Sequence, residues 1–218
     1  MYFDSTRPLA GEGEPKDNDI WVVEKTDSGW GEARDLGAPV NSEKMEAMPA
    51  VTASGTLYFM GYAEGHLYEM GIYVSPLVDG RYTTPRLLPE NINSKRAVDW
   101  CPFVAPDESF LLFSSGREGG LGAGDIYISF RKGDDTWTQP ENLGGPVNSD
   151  DNDRFPAISP DGRILFFASK RQVFGSYHKS RRSLSELLAM YSQPGNGLTD
   201  IYWVDAKFID KFNPEDLN

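Results

Sequence analysis

Phe155-Pro156-Ala157-Ile158-Ser159-Pro160-Asp161-Gly162-Arg163-Ile164-Leu165-Phe166-Phe167 reads as a strand, a tight turn and a second strand. Pro160 presets φ, and Asp161-Gly162 accepts the turn conformation that other residues resist. The closing phenylalanine has counterparts all along the chain. Phe3, Phe59, Phe113 and Phe167 sit in Tyr2-Phe3-Asp4-Ser5, Leu57-Tyr58-Phe59-Met60, Leu111-Leu112-Phe113-Ser114 and Leu165-Phe166-Phe167-Ala168, at steps of 56, 54 and 54 residues. Each is followed by a second short run: Asp19-Ile20-Trp21-Val22, Gly71-Ile72-Tyr73-Val74, Asp125-Ile126-Tyr127-Ile128 and Asp200-Ile201-Tyr202-Trp203.

A period near fifty with no helix in the repeat predicts small antiparallel sheets repeated radially. The expected fold is all-β, a β-propeller of four-stranded blades in a single domain over 1–218. Its units run roughly 1–46, 47–98, 99–153 and 154–218. In the third unit, strand A covers Trp100 to Ala105, strand B Phe110 to Ser114, strand C Asp125 to Phe130, and strand D lies around Trp137 to Leu143. Strand D carries a spaced signature: Trp30 to Leu36, Tyr82-x2-Pro85-x2-Leu88, Trp137-x2-Pro140-x2-Leu143 and Lys211-x2-Pro214-x2-Leu217. Proline is tolerated on an outer edge strand and blunts it against further pairing. The first unit shows strands B, C and D only. The expectation is therefore three full blades and one lacking its innermost strand, as the C-terminal part of a longer propeller.

Net charge is −12 with a sequence pI near 4.6, which disfavours nucleic acid and anionic membranes as partners. No apolar run is long enough for a membrane span, and no signal peptide is visible. Cys101 stands alone, which excludes an internal disulfide and a cysteine zinc site. It precedes Pro102 as Met48 precedes Pro49 and Phe155 precedes Pro156, so this slot reads as buried and apolar.

Asn-Ser recurs between strand D and the next strand A, at Asn41-Ser42, Asn93-Ser94 and Asn148-Ser149. Such side chains bond neighbouring backbone and fix loops. Ser-x-Arg closes strand B at Arg7, Arg117 and Arg171, and the same units open strand C with Asp19, Asp125 and Asp200. The second unit has Ala63 and Gly71 at these two positions. Arg and Asp are present together and absent together, which predicts structural ion pairs.

At this point the repeats resemble the WD40-like β-propeller repeat family, PD40, of TolB-like propellers. The resemblance rests on Phe155 to Phe167 followed by Asp200-Ile201-Tyr202, and it recurs over nearly the whole chain. It extends to a group of bacterial exported propellers with Asn-Ser connectors and a terminal Asp200 to Ala206 segment. The resemblance implies five or six blades, a periplasmic or secreted location, and protein binding in some members. It brings no shared catalytic residues.

Two histidines, His66 and His178, lack metal-ligand spacing. Gly119-Gly120-Leu121-Gly122-Ala123-Gly124 lies between two strands, so it reads as a flexible hairpin tip and not as a phosphate loop. No cofactor is indicated. The acidic run Asp150-Asp151-Asn152-Asp153 offers oxygens of the kind calcium takes, but its spacing is not that of an EF-hand, and a solvated loop is the default. The strand B to C connection lengthens in the fourth unit, with a helical insertion over 173–198. Ser183-Leu184-Ser185-Glu186 is a capping box, and Leu184, Leu187, Leu188 and Tyr191 share one helix face, expected to pack down. Arg181 and Arg182 belong to a basic island before it. In this strand order the B–C loops and D–A connectors emerge on one rim, the expected site. The reading is a non-enzymatic envelope module that binds a protein, peptide or glycan through Arg117, Arg171, Arg181, Arg182, Asn41, Asn93 and Asn148. The alternatives are a hydrolase or lyase using channel carboxylates, and a scaffold fragment with no site of its own.

Overall fold

The computed structural model describes residues 1–8, 13–133, 136–172 and 183–213. They divide into two compact units, Met1–Leu112 with Ser129–Pro140, and Phe113–Ile128 with Glu141–Asn218. Every strand is short, and each sheet is an antiparallel meander.

The first sheet begins with β1 (Tyr2–Ser5) and β2 (Asp19–Val22). A small hairpin, β3 (Lys25–Thr26) with β4 (Gly29–Trp30), leads to β5 (Arg34–Asp35), giving the order β1-β2-β5. The second holds β6 (Glu46–Val51), β7 (Leu57–Tyr62) and β8 (Met70–Ser75). After the hairpin β9 (Leu77–Val78) with β10 (Arg81–Tyr82) it closes on β11 (Arg86–Leu87), in the order β11-β8-β7-β6. The third is β12 (Asp99–Val104), β13 (Phe110–Ser115), β14 (Asp125–Phe130) and β15 (Glu141–Asn142), in that order. The fourth is β16 (Asp153–Ile158), β17 (Ile164–Ser169) and β18 (Asp200–Asp205), with α1 (Leu184–Tyr191) between the last two. Among the described residues two four-stranded meanders and two three-stranded ones follow the blade pattern, one full blade fewer than expected because the fourth unit has no strand D, and the chain is all-β as its repeats predict.

Register explains the marker residues. Phe3 faces Trp21, Phe59 faces Tyr73 and Phe167 faces Tyr202 across the B–C pairing. The rings of Phe59 and Tyr73 stack at 5.7 Å, those of Phe113 and Tyr127 at 6.2 Å, and those of Phe167 and Tyr202 at 6.0 Å. Cross-strand aromatic pairs of this kind stabilise a sheet by about 0.2–1 kcal/mol each.

Strand D is shorter than its signature. It pairs over two residues only, Arg86–Leu87 and Glu141–Asn142, each immediately after a proline that has no N–H to give the ladder. In the fourth unit a 3-10 helix covers Ala206–Phe212, and Pro214 and Leu217 lie outside the described residues. The slot before proline is a bulge residue. Met48, Cys101 and Phe155 have φ of 55°, 53° and 55°, and the ladder slips between Ala47 and Ala50 and between Arg154 and Ala157. Cys101 is buried, but Met48 is half-buried and Phe155 exposed, so backbone conformation rather than burial unites the three.

In the first unit Ile20 and Val40 pack with Leu57 and Phe59 of the next sheet, flanked by Tyr2, Leu36 and Tyr73. Full burial of each such side chain contributes about 1.5–3 kcal/mol. The corresponding pairs Ile20/Val22, Ile72/Val74 and Ile126/Ile128 are all buried. Ile201 and Trp203, at the same two positions of β18, are 78% and 67% exposed.

Candidate functional site

The connectors are built by their asparagines. Asn41 Oδ1 accepts the Ile20 N–H at 3.0 Å, and its Nδ2 donates to the Ile20 carbonyl at 2.9 Å. Asn93 does the same to Ile72 (2.7 and 3.0 Å), and Asn148 to Ile126 (2.8 and 2.9 Å). Each side chain extends the strand C ladder by one residue. The second Nδ2 proton goes to Asp35, to the Leu88 carbonyl and to Asn142 respectively. The amides are thus bonded within the loop itself, the loop-fixing role that their recurrence suggests.

The serines hold the acid that opens strand A. Ser42 donates its N–H and hydroxyl to Glu46, Ser94 its N–H to Asp99, and Ser149 both groups to Asp153. These acids are buried. This answers the acidic run of the third connector: Asp153 is a clamp residue of the loop. Among the described residues no group of three or more His, Cys, Asp or Glu is placed to hold a metal ion.

The arginines are placed by aromatic rings. Arg171 Nε donates to Ser169 Oγ at 2.8 Å, and its guanidinium lies 5.2 Å from the Phe167 ring centroid and 4.6 Å from that of Tyr202. Nη1 donates to the Pro146 carbonyl at 3.0 Å, and Nη2 to the Val147 carbonyl at 2.5 Å and to Asp153 Oδ1 at 3.2 Å. Its acid partner is therefore Asp153 on the innermost strand, and Asp200 instead accepts the Gly195 N–H. Arg7 lies 5.1 Å from both Phe3 and Trp21, and Arg117 about as close to Phe113 and Tyr127, each with Nε on Ser5 or Ser115. Asp19 takes Lys16 at 2.8 Å, and Asp125 takes the Leu121 N–H and Asn142. The aspartates that open strand C thus serve their own B–C loops or outer strands. Arg181 and Arg182 lie outside the described residues.

Gly122 has a packing role. A Cβ there would stand 2.0 Å from the Asp151 carbonyl oxygen, and Ala123 donates its N–H to that same oxygen. The glycine hairpin lies against the connector, so the expected flexible tip is instead a packed contact that only glycine allows. The capping box forms, with Ser183 N–H on Glu186 and Glu186 N–H on Ser183 Oγ. Leu184, Leu188 and Tyr191 are nonetheless exposed, so the apolar stripe does not pack down as expected.

In the first unit the connector of the second sheet borders an open cavity of about 220 Å³ lined by Pro39, Val40, Ser42, Lys44, Glu46, Phe59, Gly61, Tyr62, Tyr73 and Pro85. The Tyr73 hydroxyl donates to the Tyr62 carbonyl at 2.6 Å, which fixes its ring as a wall. Lys44 Nζ rests 5.0 Å from the Tyr62 ring centroid. Burial lifts the Glu46 carboxyl above its ordinary pKa, with the Ser42 donors opposing and the nearby Asp19 and Asp17 charges adding to the rise. Asp19 is raised by burial as well, against the pull of Lys16. Neither Glu46 nor Gly61 stands out in the sequence. The signal that points to them is the second unit's loss of Ser-x-Arg.

No protein-family model and no curated protein matches this sequence. Solved structures share its fold loosely. A putative TolB from Agrobacterium tumefaciens aligns with a TM-score of 0.48 at 17% identity, over 87% of this chain and 53% of its own. TolB from Acinetobacter baumannii aligns at 0.45 and 16%, over 78% and 36%. A GH43 endo-arabinanase from Bacillus licheniformis aligns at 0.47 and 12%, over 87% and 64%. The chain spans about half, or less, of the two TolB proteins. The fold assignment stands on sheet order and register, independently of these alignments. Among the described residues no helix is long and apolar enough to cross a membrane.

Proposed function

We propose that this chain is a binding module of the bacterial envelope that recognises a protein or peptide on the B–C loop and D–A connector rim of its first unit. The supporting observation is the contrast on that rim in the first unit. The connector polar groups are tied to backbone, while one aromatic cavity beside them stands open over a buried carboxylate. Binding suits this arrangement better than hydrolysis. A pair of carboxylates working on a glycosidic bond must both face substrate, whereas Glu46 and Asp153 are each held by a connector serine. The envelope location is supported by the repeat's resemblance to TolB-like propellers.

The test is partner recovery from an envelope extract with two charge-altered variants. Glu43→Lys with Glu64→Lys changes the rim, while Asp107→Lys changes the turn at the opposite end of the strands. The expected result is one defined protein partner, retained by wild type and by Asp107→Lys and lost from the rim variant. Loss only on changing Asp107 would overturn the proposal.

A further inference from the structure

The cavity of the second sheet has the outline of a missing arginine. In the fourth sheet Arg171 meets one set of partners: the stacked Phe167 and Tyr202 rings, Ser169 Oγ, the Pro146 and Val147 carbonyls and the Asp153 carboxylate. The repeat maps these onto Phe59 and Tyr73, Gly61, Pro39 and Val40, and Glu46, with Ala63 in place of the arginine. All of the mapped partners line the cavity, and Ala63 does not.

The backbone around the two sites follows the same course. Asn41 N–H bonds to the Gly37 carbonyl as Asn148 N–H bonds to that of Gly144, and Gly37 and Gly144 have φ of 65° and 64°. The Phe59–Tyr73 stack matches Phe167–Tyr202 in separation and tilt, 5.7 Å and 17° against 6.0 Å and 22°. What differs is the occupant. Serine has become glycine, which clears the place of the hydroxyl, and arginine has become alanine. A Cβ at Gly71 would stand 2.7 Å from Leu87 Cδ1 and 3.1 Å from Ala63 Cβ, so this position too is kept small.

Glu46 is left in an unusual state. It is 4% exposed and receives two hydrogen bonds from Ser42, yet among the described residues no cation pairs with it. Its counterpart Asp153, fully buried, has Arg171. A buried carboxylate without a counter-charge, lining an open cavity beside an aromatic pair, suits a planar cation that stacks and forks. Lys44 lines the mouth with its ammonium on Tyr62.

We infer that the second sheet carries a guanidinium pocket that takes an arginine side chain of a protein partner in the place where the other sheets hold their own arginine. This rests on the rim-binding reading and names the group the rim grips. The guanidinium plane would lie on Phe59 and Tyr73, with its N–H groups toward Glu46 and the Pro39–Val40 backbone. Lysine fits less well, because an ammonium has no planar face to lay on the rings and no fork.

Binding is read on the isolated chain by amide NMR, with N-acetyl-arginine amide as probe and N-acetyl-citrulline amide, N-acetyl-lysine amide and free L-arginine as comparisons. The expected result is saturable shifts at Ser42, Gly61 and Tyr62. Citrulline and lysine should bind about tenfold or more weakly, the scale of one charge-assisted contact. Glu46→Gln should weaken the arginine probe by a similar factor, and Lys44→Ala should strengthen it. Gly61→Ser with Ala63→Arg restores the repeat's own occupant and should abolish the shifts while raising Tm. Silence from the arginine probe, equal binding of citrulline or lysine, or unchanged binding in the refilled variant would overturn the pocket. Free L-arginine binding more tightly than the capped amide would overturn the protein partner as its source. Since the probe needs no partner, a silent pocket with partner recovery intact sinks this inference alone. A responsive pocket with partner recovery insensitive to the rim sinks the rim reading alone.

Discussion

Glu46 shows how much one buried charge can say. Its folded pKa is raised because loss of water outweighs the two Ser42 donors, and Asp19 moves the same way. A carboxyl whose folded pKa exceeds its unfolded one holds an extra proton in the native state between those values. Its contribution to stability is greatest at the acid end and falls as pH rises through the raised pKa. Glu46→Gln removes this titration while keeping an acceptor for Ser42. Relative to wild type, the variant's Tm should improve as pH rises from the ordinary glutamate range through the raised pKa. A Tm difference constant with pH would contradict the assignment. Arg171 makes the complementary point. Its conserved spacing from Phe167 within the repeat is visible in the sequence, but the identity of its acid is not. Asp200 and Asp153 are both candidates in the sequence, and only the tertiary structure decides which one meets the guanidinium. The D–A connector brings Asp153 to Arg171, while Asp200 is taken by the Gly195 N–H of its own B–C loop.

Among the elements, the D–A connector does more structural work than its irregular trace suggests. Asn93 accepts the Ile72 N–H and donates to the Ile72 carbonyl, which also accepts from the Leu88 N–H, and Ile72, Leu88 and Asn93 are all buried. Asn93→Ala strands a buried N–H and weakens its carbonyl's bonding, at a cost of about 2–4 kcal/mol. Urea unfolding measures it, against Ser28→Ala on an exposed turn, which should stay within about 0.5 kcal/mol. A cost near zero for Asn93→Ala would mean that water replaces the amide and the connector is not clamped. The Asn-Ser recurrence is legible in the sequence as loop chemistry. Its partner, one residue of strand C some twenty positions earlier, is not, because local propensity carries no information about which backbone lies alongside. Strand D shows the reverse limit. Its Trp/Tyr-x2-Pro-x2-Leu spacing is plain, yet only the two residues after proline pair, since the remainder is taken by a separate hairpin.

Across the whole chain, repetition separates positions that depend on a neighbouring sheet from those that do not. Ile72 and Ile201 hold the same place in the repeat, one fully buried and one 78% exposed. Ile72→Ser should cost about 3–5 kcal/mol, combining a lost side chain with a buried hydroxyl. Ile201→Ser should change stability by no more than about 0.5 kcal/mol. Equal costs, measured as urea midpoints at constant m, would show that the β18 face is covered in solution.

The order of residues alone determined strands A to C, the period and the turns. Those follow from alternation, from proline and glycine geometry, and from aromatic pairs that recur at a fixed step, all of which are local. Folding alone decided which acid meets which arginine, that the asparagines complete a ladder, that glycine 122 is a contact, and that the second sheet keeps an arginine-shaped cavity. Each of those depends on atoms far apart in sequence being brought within 3 or 4 Å, and on whether the side chain that would fill the space is there.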